Sequence, residues 1–208
     1  MRGLTGILIV LVATASASAL AVTTPVRIVA LGDSLTAGPG LKVSDTFPAQ
    51  LEKALNVGDP HVVITNAGVS GDTSSGGLAR LDWALADKPH IVIVELGAND
   101  GLRGVDPAVT YAKLDAILDR LEATDVAVLF TGMLMPSNMG DYSRRYAETY
   151  TRLAKEHPSA VYYPFFLEGV AQDPKLNLED GMHPNAAGVK RIVANILPYV
   201  RRVMTTVP

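Results

Sequence analysis

The chain has 208 residues, a formal net charge of −3, four histidines and no cysteine. Without cysteine there can be no disulfide, no thiolate-held metal and no thiol nucleophile. The mild acidity offers no basic stripe that would attract nucleic acid.

Residues 1–21 read as an export leader. Arg2 supplies a positive start, residues 6–13 (GILIVLVA) form a short apolar core, and Ala19-Leu20-Ala21 fits a small-x-small cleavage site, with Ala17-Ser18-Ala19 nearly as good. The competing reading is an ordinary N-terminal helix. The apolar core falls well short of the about 20 residues a membrane span needs, and no cysteine stands at the cut to carry a lipid, so no stable membrane anchor is expected. The expectation is an exported protein, periplasmic or secreted. Residues 22–208 then form one domain, long enough to bury a core, with one positive charge fewer once Arg2 is gone. No repeat, low-complexity tract or linker divides it.

Along this domain five short apolar or β-branched runs predict strands: RIVAL (27–31), HVVIT (61–65), IVIVE (91–95), VAVLF (126–130) and AVYY (160–163). Most are continuous rather than alternating, as parallel strands buried on both faces should be. Amphipathic stretches at 48–55, 78–86, 107–122, 142–157 and 186–203 predict the intervening helices. Regular alternation of strand and helix implies βαβ units: an α/β fold of three αβα layers, with about five parallel strands between the helices.

In such sheets functional groups collect beyond the carboxyl ends of the strands. Those ends read GDSLT (32–36), NAGVSGDT (66–73), GANDG (97–101) and TGMLMP (131–136), and LEDGMHPN (178–185) leads into the last helix. Singly, each residue has an ordinary explanation. Asp33 and Ser34 could cap a helix, Gly71 and Asn99 could make turns, and Asp180 and His183 could lie on the surface. Together they supply the parts of an acyl-transfer site. A serine hydroxyl is a poor nucleophile until a base takes its proton, and histidine is the natural base near neutral pH. That histidine needs an acid on its other ring nitrogen to hold its tautomer; Asp180 and His183, three apart in one turn, can face each other. A tetrahedral intermediate also needs donors for its oxyanion, which a glycine N–H and an asparagine amide can be.

With these residues in order, the chain resembles the GDSL, or SGNH, hydrolases. Four blocks match in sequence: GDSLTAG (32–38), NAGVSGDT (66–73), GAND (97–100) and DGMHPN (180–185). GDTSSGGLARL (71–81), VELGANDGLRG (94–104) and YSRRYAETY (142–150) are similar to the bacterial exported arylesterases and the acyl-CoA thioesterase/lysophospholipases. The resemblance implies a flavodoxin-like sheet, Ser34 as nucleophile, His183 as base and Asp180 as the acid that orients it. It implies an oxyanion hole made by the backbone N–H groups of Ser34 and Gly71 and the side chain of Asn99. Ala98 stands where that subgroup often has a second glycine. The expected activity is hydrolysis of a small-molecule acyl ester or thioester, with no cofactor and no metal. A carbohydrate O-acetylesterase using the same triad is the alternative. A metal hydrolase built on Asp33, Asp180 and His183, or a non-catalytic carbohydrate- or lipid-binding module, are the readings from other classes.

On the substrate side, the methionine-rich loop 132–142, with Met135 and Pro136, and Leu102 are candidates to line an acyl groove, since methionine makes an adaptable apolar wall. The alternative is that these methionines are ordinary core. Asp33, Asp72 and Asp100 are expected to support the site rather than react. His61, His90 and His157 are expected to be structural or superficial, and Arg144 and Arg145 to lie on a solvated helix face.

Overall fold

A computed structural model describes residues 24–58 and 61–207; the expected leader at 1–21 lies outside the described residues. Five strands follow the five apolar runs: β1 (Val26–Gly32), β2 (Val62–Gly68), β3 (Ile91–Glu95), β4 (Ala127–Thr131) and β5 (Val161–Tyr163). All pair in parallel, in the order β2-β1-β3-β4-β5. The chain steps outward from β1 to β2 and then back past β1 to β3. This places the topological switch, where crevices form in such sheets, between the ends of β1 and β3. All five residues of β3 are buried, which is why its run shows no alternation. β2 is the sheet edge, and Val63, Thr65 and Asn66 on it are exposed.

The helices are α1 (Ser34–Ala37), α2 (Phe47–Leu55), α3 (Ser74–Ala79), α4 (Leu81–Leu85), α5 (Ala98–Leu102), α6 (Pro107–Glu122), α7 (Asp141–Glu156) and α8 (Ala186–Met204). α2 packs with α8, while α3, α6 and α7 pack together on the other side of the sheet, giving the three layers expected. α6 has the predicted bounds because its start is doubly specified. Asp106 caps it by accepting the Ala108 N–H at 3.0 Å, and Pro107 stands in the first turn, where a missing N–H costs nothing.

One element differs from expectation. The stretch 78–86, predicted as a single helix, is broken at Arg80 into α3 and α4. The Arg80 side chain is drawn to the strand ends instead. Its Nη1 donates to the Ala67 carbonyl (2.6 Å), its Nη2 to the Gly32 carbonyl (2.8 Å), and its Nε to Asp72 (2.6 Å). Three charge-assisted bonds outweigh the small preference for continuing one helix.

His157, at the end of α7, is a buried structural histidine. Its Nε2 lies 2.9 Å from Asp115 and its Nδ1 3.2 Å from Glu122, both on α6, while Ser159 donates to Glu122 at 2.5 Å. Burial disfavours the imidazolium, but the hydrogen bonds and charges of the two carboxylates outweigh it, and the pKa of His157 is raised above its ordinary value. A raised folded-state pKa stabilises the protein below the unfolded value and is lost as pH rises through the folded one. Replacing His157 by Gln should therefore lower unfolding free energy by about 1–3 kcal/mol in urea titrations near pH 6. The gap from wild type should narrow as pH is raised towards about 9; a gap that does not change with pH would show that the charge contributes nothing.

Candidate active site

The end of β1 leaves no room for a side chain. A Cβ at Gly32 would lie 2.1 Å from Thr36 Oγ1 and 2.7 Å from Glu95 Oε2. The chain therefore turns there at close range into α1. Asp33, fully buried, caps that helix by accepting the Leu35 N–H on Oδ1 at 2.9 Å. Ser34 opens α1, half-buried at the carboxyl edge of the sheet.

The Asp180–His183 turn is a compact loop closed on itself. Asn177 and Pro184 form an antiparallel bridge, the Leu178 N–H donates to the His183 carbonyl (2.7 Å), and the Gly181 N–H donates to the Leu178 carbonyl (2.9 Å). Gly181 sits at φ +70°, a conformation that glycine adopts without strain. This is why a glycine separates the acid from the histidine. The reversal lets Asp180 Oδ1 accept the N–H groups of Met182 (2.8 Å) and His183 (2.9 Å), while Oδ2 meets His183 Nδ1 at 2.6 Å. Those bonds, the His183 N–H first, pull the Asp180 carboxyl down to about 2. A carboxylate can only accept, so Nδ1 carries the ring proton and Nε2 presents its lone pair. That nitrogen lies 2.9 Å from Ser34 Oγ, across 149 residues of sequence. Asn185 then caps α8, accepting the Ala187 and Gly188 N–H groups at 3.0 Å each, and fixes the loop to the last helix.

The second and third motif blocks meet beside this line. Gly71 has φ +81°, and its carbonyl accepts from Arg103 Nη2 at 2.9 Å. Asn99, in the first turn of α5, directs its amide nitrogen to Asp33 Oδ2 at 3.0 Å. Gly97 before it has φ +111° and is packed so tightly that a Cβ would come within 2.0 Å of the Tyr150 hydroxyl. Two tyrosines of α7 hold this turn: Tyr146 donates to the Gly97 carbonyl (2.5 Å) and Tyr150 to the Leu96 carbonyl (3.0 Å). Asp100 accepts from the Ser74 N–H (2.8 Å) and Ser74 Oγ (2.5 Å), tying α5 to α3.

Beneath the serine lie two buried carboxyls. Burial pushes Asp33 up to about 6, against the Leu35 and Asn99 hydrogen bonds and the charge of His183. Glu95, fully buried, is raised well above the ordinary range by burial and by the neighbouring Asp33 charge. Its Oε2 accepts from Thr36 Oγ1 (2.8 Å) and its Oε1 has no partner.

Of the residues singled out in the sequence, Ser34, Asp180 and His183 form one hydrogen-bonded line, and Asn99 lies beside it, bonded to Asp33, the residue before Ser34. The substrate-side candidates divide. Leu102 is 56% exposed, and Pro136 is exposed with its carbonyl accepting from Ser143 Oγ (2.5 Å). Met135 is buried, its sulfur close under Gly101, and Met133 is also core, so the loop is less a methionine wall than expected; Leu134 and Met139 are its exposed apolar residues. Arg144 and Arg145 lie exposed and paired with neighbouring acids. Asp33, Asp180 and His183 do not gather as a cation-binding set among the described residues. Asp115, Asp119 and His157 come within such range, but on α6 and at the end of α7.

Sequence reasoning missed Arg80, Arg103, Glu95, Tyr146 and Tyr150. The two tyrosines carry a readable signal, since their i, i+4 spacing puts both on one helix face. Arg80 and Arg103 look like surface charges until the strand ends are brought together.

Residues 30–191 match the model of the GDSL-like Lipase/Acylhydrolase family. The chain is 39% identical over 173 residues to esterase TesA of Pseudomonas aeruginosa, covering 82% of this chain and 86% of that protein. It is 40% identical over 157 residues to thioesterase 1/protease 1/lysophospholipase L1 of Escherichia coli, covering 74% of each. Its structure superposes with a TM-score of 0.80 on psychrotrophic esterase EstA from Pseudoalteromonas sp. inhibited by monoethylphosphonate, at 28% identity over 86% of this chain and 99% of that one. With four motif blocks assembled at one sheet edge and a family match spanning most of its length, the chain belongs to the GDSL-like lipase/acylhydrolase family.

Proposed function

We propose that the protein is a serine esterase that also accepts thioesters, hydrolysing small acyl esters through an acyl-enzyme on Ser34. The line Asp180–His183–Ser34, with contacts of 2.6 and 2.9 Å, is the observation that carries this reading. In the proposed mechanism His183 Nε2 takes the Ser34 proton as Oγ attacks the acyl carbon, and the carbonyl electron pair moves onto oxygen. The backbone N–H groups of Ser34 and Gly71 and the amide of Asn99 receive that oxyanion; a single such donor is worth about 10²–10³ in rate. Collapse breaks the bond to the alkoxide or thiolate, which leaves with the proton from His183. Water then repeats the sequence and frees the acid. The names of the relatives agree with this chemistry. So does the phosphonate on EstA, whose tetrahedral phosphorus resembles the intermediate of acyl transfer.

We further propose that Leu102, beside Asn99 and open to solvent, forms part of the acyl groove, with Met135 supporting α5 from beneath and Pro136 bordering it. The apolar stretch and small-residue cut at 1–21 support export before the enzyme acts.

Three measurements test these readings. The mature chain should hydrolyse p-nitrophenyl esters and acyl-CoA thioesters, and Ser34→Ala should lower kcat by about 10⁴-fold or more. Equal activity in that variant would remove Ser34 from the mechanism, and turnover of acetylated sugars alone would move the substrate class to carbohydrate O-acetyl esters. Leu102→Ala should shift the chain-length profile of kcat/KM between acetate and palmitate by about 3–10-fold at some length; an unchanged profile removes Leu102 from the groove. The mass of the exported protein should match a start at residue 22 or 20, and an intact Met1 would overturn the leader.

A further inference from the structure

Resting on the reading of Asn99 as an oxyanion donor, we infer that Asp33 is a positioning residue whose carboxylate sets which way the Asn99 amide faces. An asparagine side chain ends in an NH2 and an oxygen of nearly equal shape, and rotation by half a turn exchanges them. If the oxygen faced the oxyanion, the hole would repel the charge it must hold. Nothing in the shape of Asn99 prevents this; a neighbour must choose.

Asp33 makes the choice. Its two oxygens do two jobs. Oδ1 accepts the Leu35 N–H at 2.9 Å and caps the helix that begins with Ser34, while Oδ2 accepts from Asn99 Nδ2 at 3.0 Å. Asn99 therefore turns its NH2 to Asp33, because its oxygen there would meet a carboxylate oxygen. One N–H is used in that bond, and the second remains for the oxyanion. Burial pushes Asp33 up to about 6, which still leaves it ionised, and so purely an acceptor, at neutral pH. Asp33 is wholly buried, so no solvent exchange relaxes the constraint.

The consequence separates this role from plain structural support. Asp33→Asn is nearly isosteric and keeps the cap, since asparagine caps helices as well as aspartate. With its oxygen committed to the Leu35 N–H, the new amide turns an NH2 towards Asn99. Two facing donors are incompatible, so Asn99 rotates and presents its oxygen to the oxyanion hole. Asp33→Ser also keeps the cap but is too short to reach Asn99, leaving that amide free to adopt either orientation.

The experiment measures kcat and KM for wild type, Asp33→Asn, Asp33→Ser, Asn99→Ala and the double variant Asp33→Asn/Asn99→Ala, with melting curves to confirm folding. Asp33→Asn should lower kcat by about 10²-fold or more at little cost in KM, and Asp33→Ser should lower it by less than about 10-fold. In the Asn99→Ala background, Asp33→Asn should cost no more than about 3-fold further. If the serine variant is the worse of the two, or if the losses multiply in the double variant, Asp33 supports the fold without orienting Asn99 and the inference falls while Asn99 keeps its role. If Asn99→Ala is as active as wild type, the assignment of Asn99 itself fails and the inference with it.

Discussion

The placing of Ser34, Gly71 and Asn99 depends on the level ends of three parallel strands. Gly32, the last residue of β1, stands in register with Gly68 on β2 and with Glu95 on β3. Because the three strands stop together, the turns that follow emerge side by side. Asp33 and Asn99, 66 residues apart in sequence, then meet at 3.0 Å, while Asp180 and His183 are brought to Ser34 by the segment 164–185 between β5 and α8. The glycines at this edge are part of the same constraint. A Cβ at Gly68 would lie 2.3 Å from the Ala37 backbone nitrogen, so α1 rests directly on the end of β2. The sheet supplies the rigidity, and Ser34 and Asn99 stand within a turn or two of it, on α1 and α5.

Holding polar groups this close beneath Ser34 has an electrostatic cost, since buried carboxylates are strongly disfavoured unless neutralised or bonded. The protein uses a different remedy for each acid. The Glu95 carboxyl is pushed well above its ordinary range by burial. Asp33 keeps its charge with a backbone N–H and the Asn99 amide. Asp72 is bonded to the guanidinium of Arg80, and Asp100 accepts two bonds from Ser74. Arg80 is not replaceable by lysine in this role. Its planar fork reaches two strand-end carbonyls and a carboxylate at once, where an ammonium offers one point of charge on a flexible stem.

Most of the architecture could be read from the chain because its strands are hydrophobic enough to betray their burial. IVIVE and VAVLF hardly admit another interpretation between amphipathic stretches, and Asp106-Pro107 announces a helix start. The short helices α1 and α5 escaped, since four or five residues are too few to show a period. The break at Arg80 escaped because it is enforced by partners on other strands, which no local pattern encodes. The residues proposed to react were legible because that chemistry demands particular side chains in a particular order. Their supports were not: the bond between Asp33 and Asn99 joins two residues 66 apart, and nothing in either neighbourhood names the other. The burial of Met133 and Met135 was ambiguous for a related reason, since methionine suits a core and a pliable groove equally well.

Tyr146 and Tyr150 give the site an uneven tolerance of alkali and acid. Burial drives both phenols well above their ordinary value, so they remain neutral donors to the Gly97 and Leu96 carbonyls through the alkaline range. The turn that carries Asn99 is thus braced by hydroxyls that do not titrate under working conditions. On the acid side the bracing relies on Asp33, whose proton returns near pH 6. The bracing of this turn therefore changes on the acid side, at Asp33, before it changes at the two phenols.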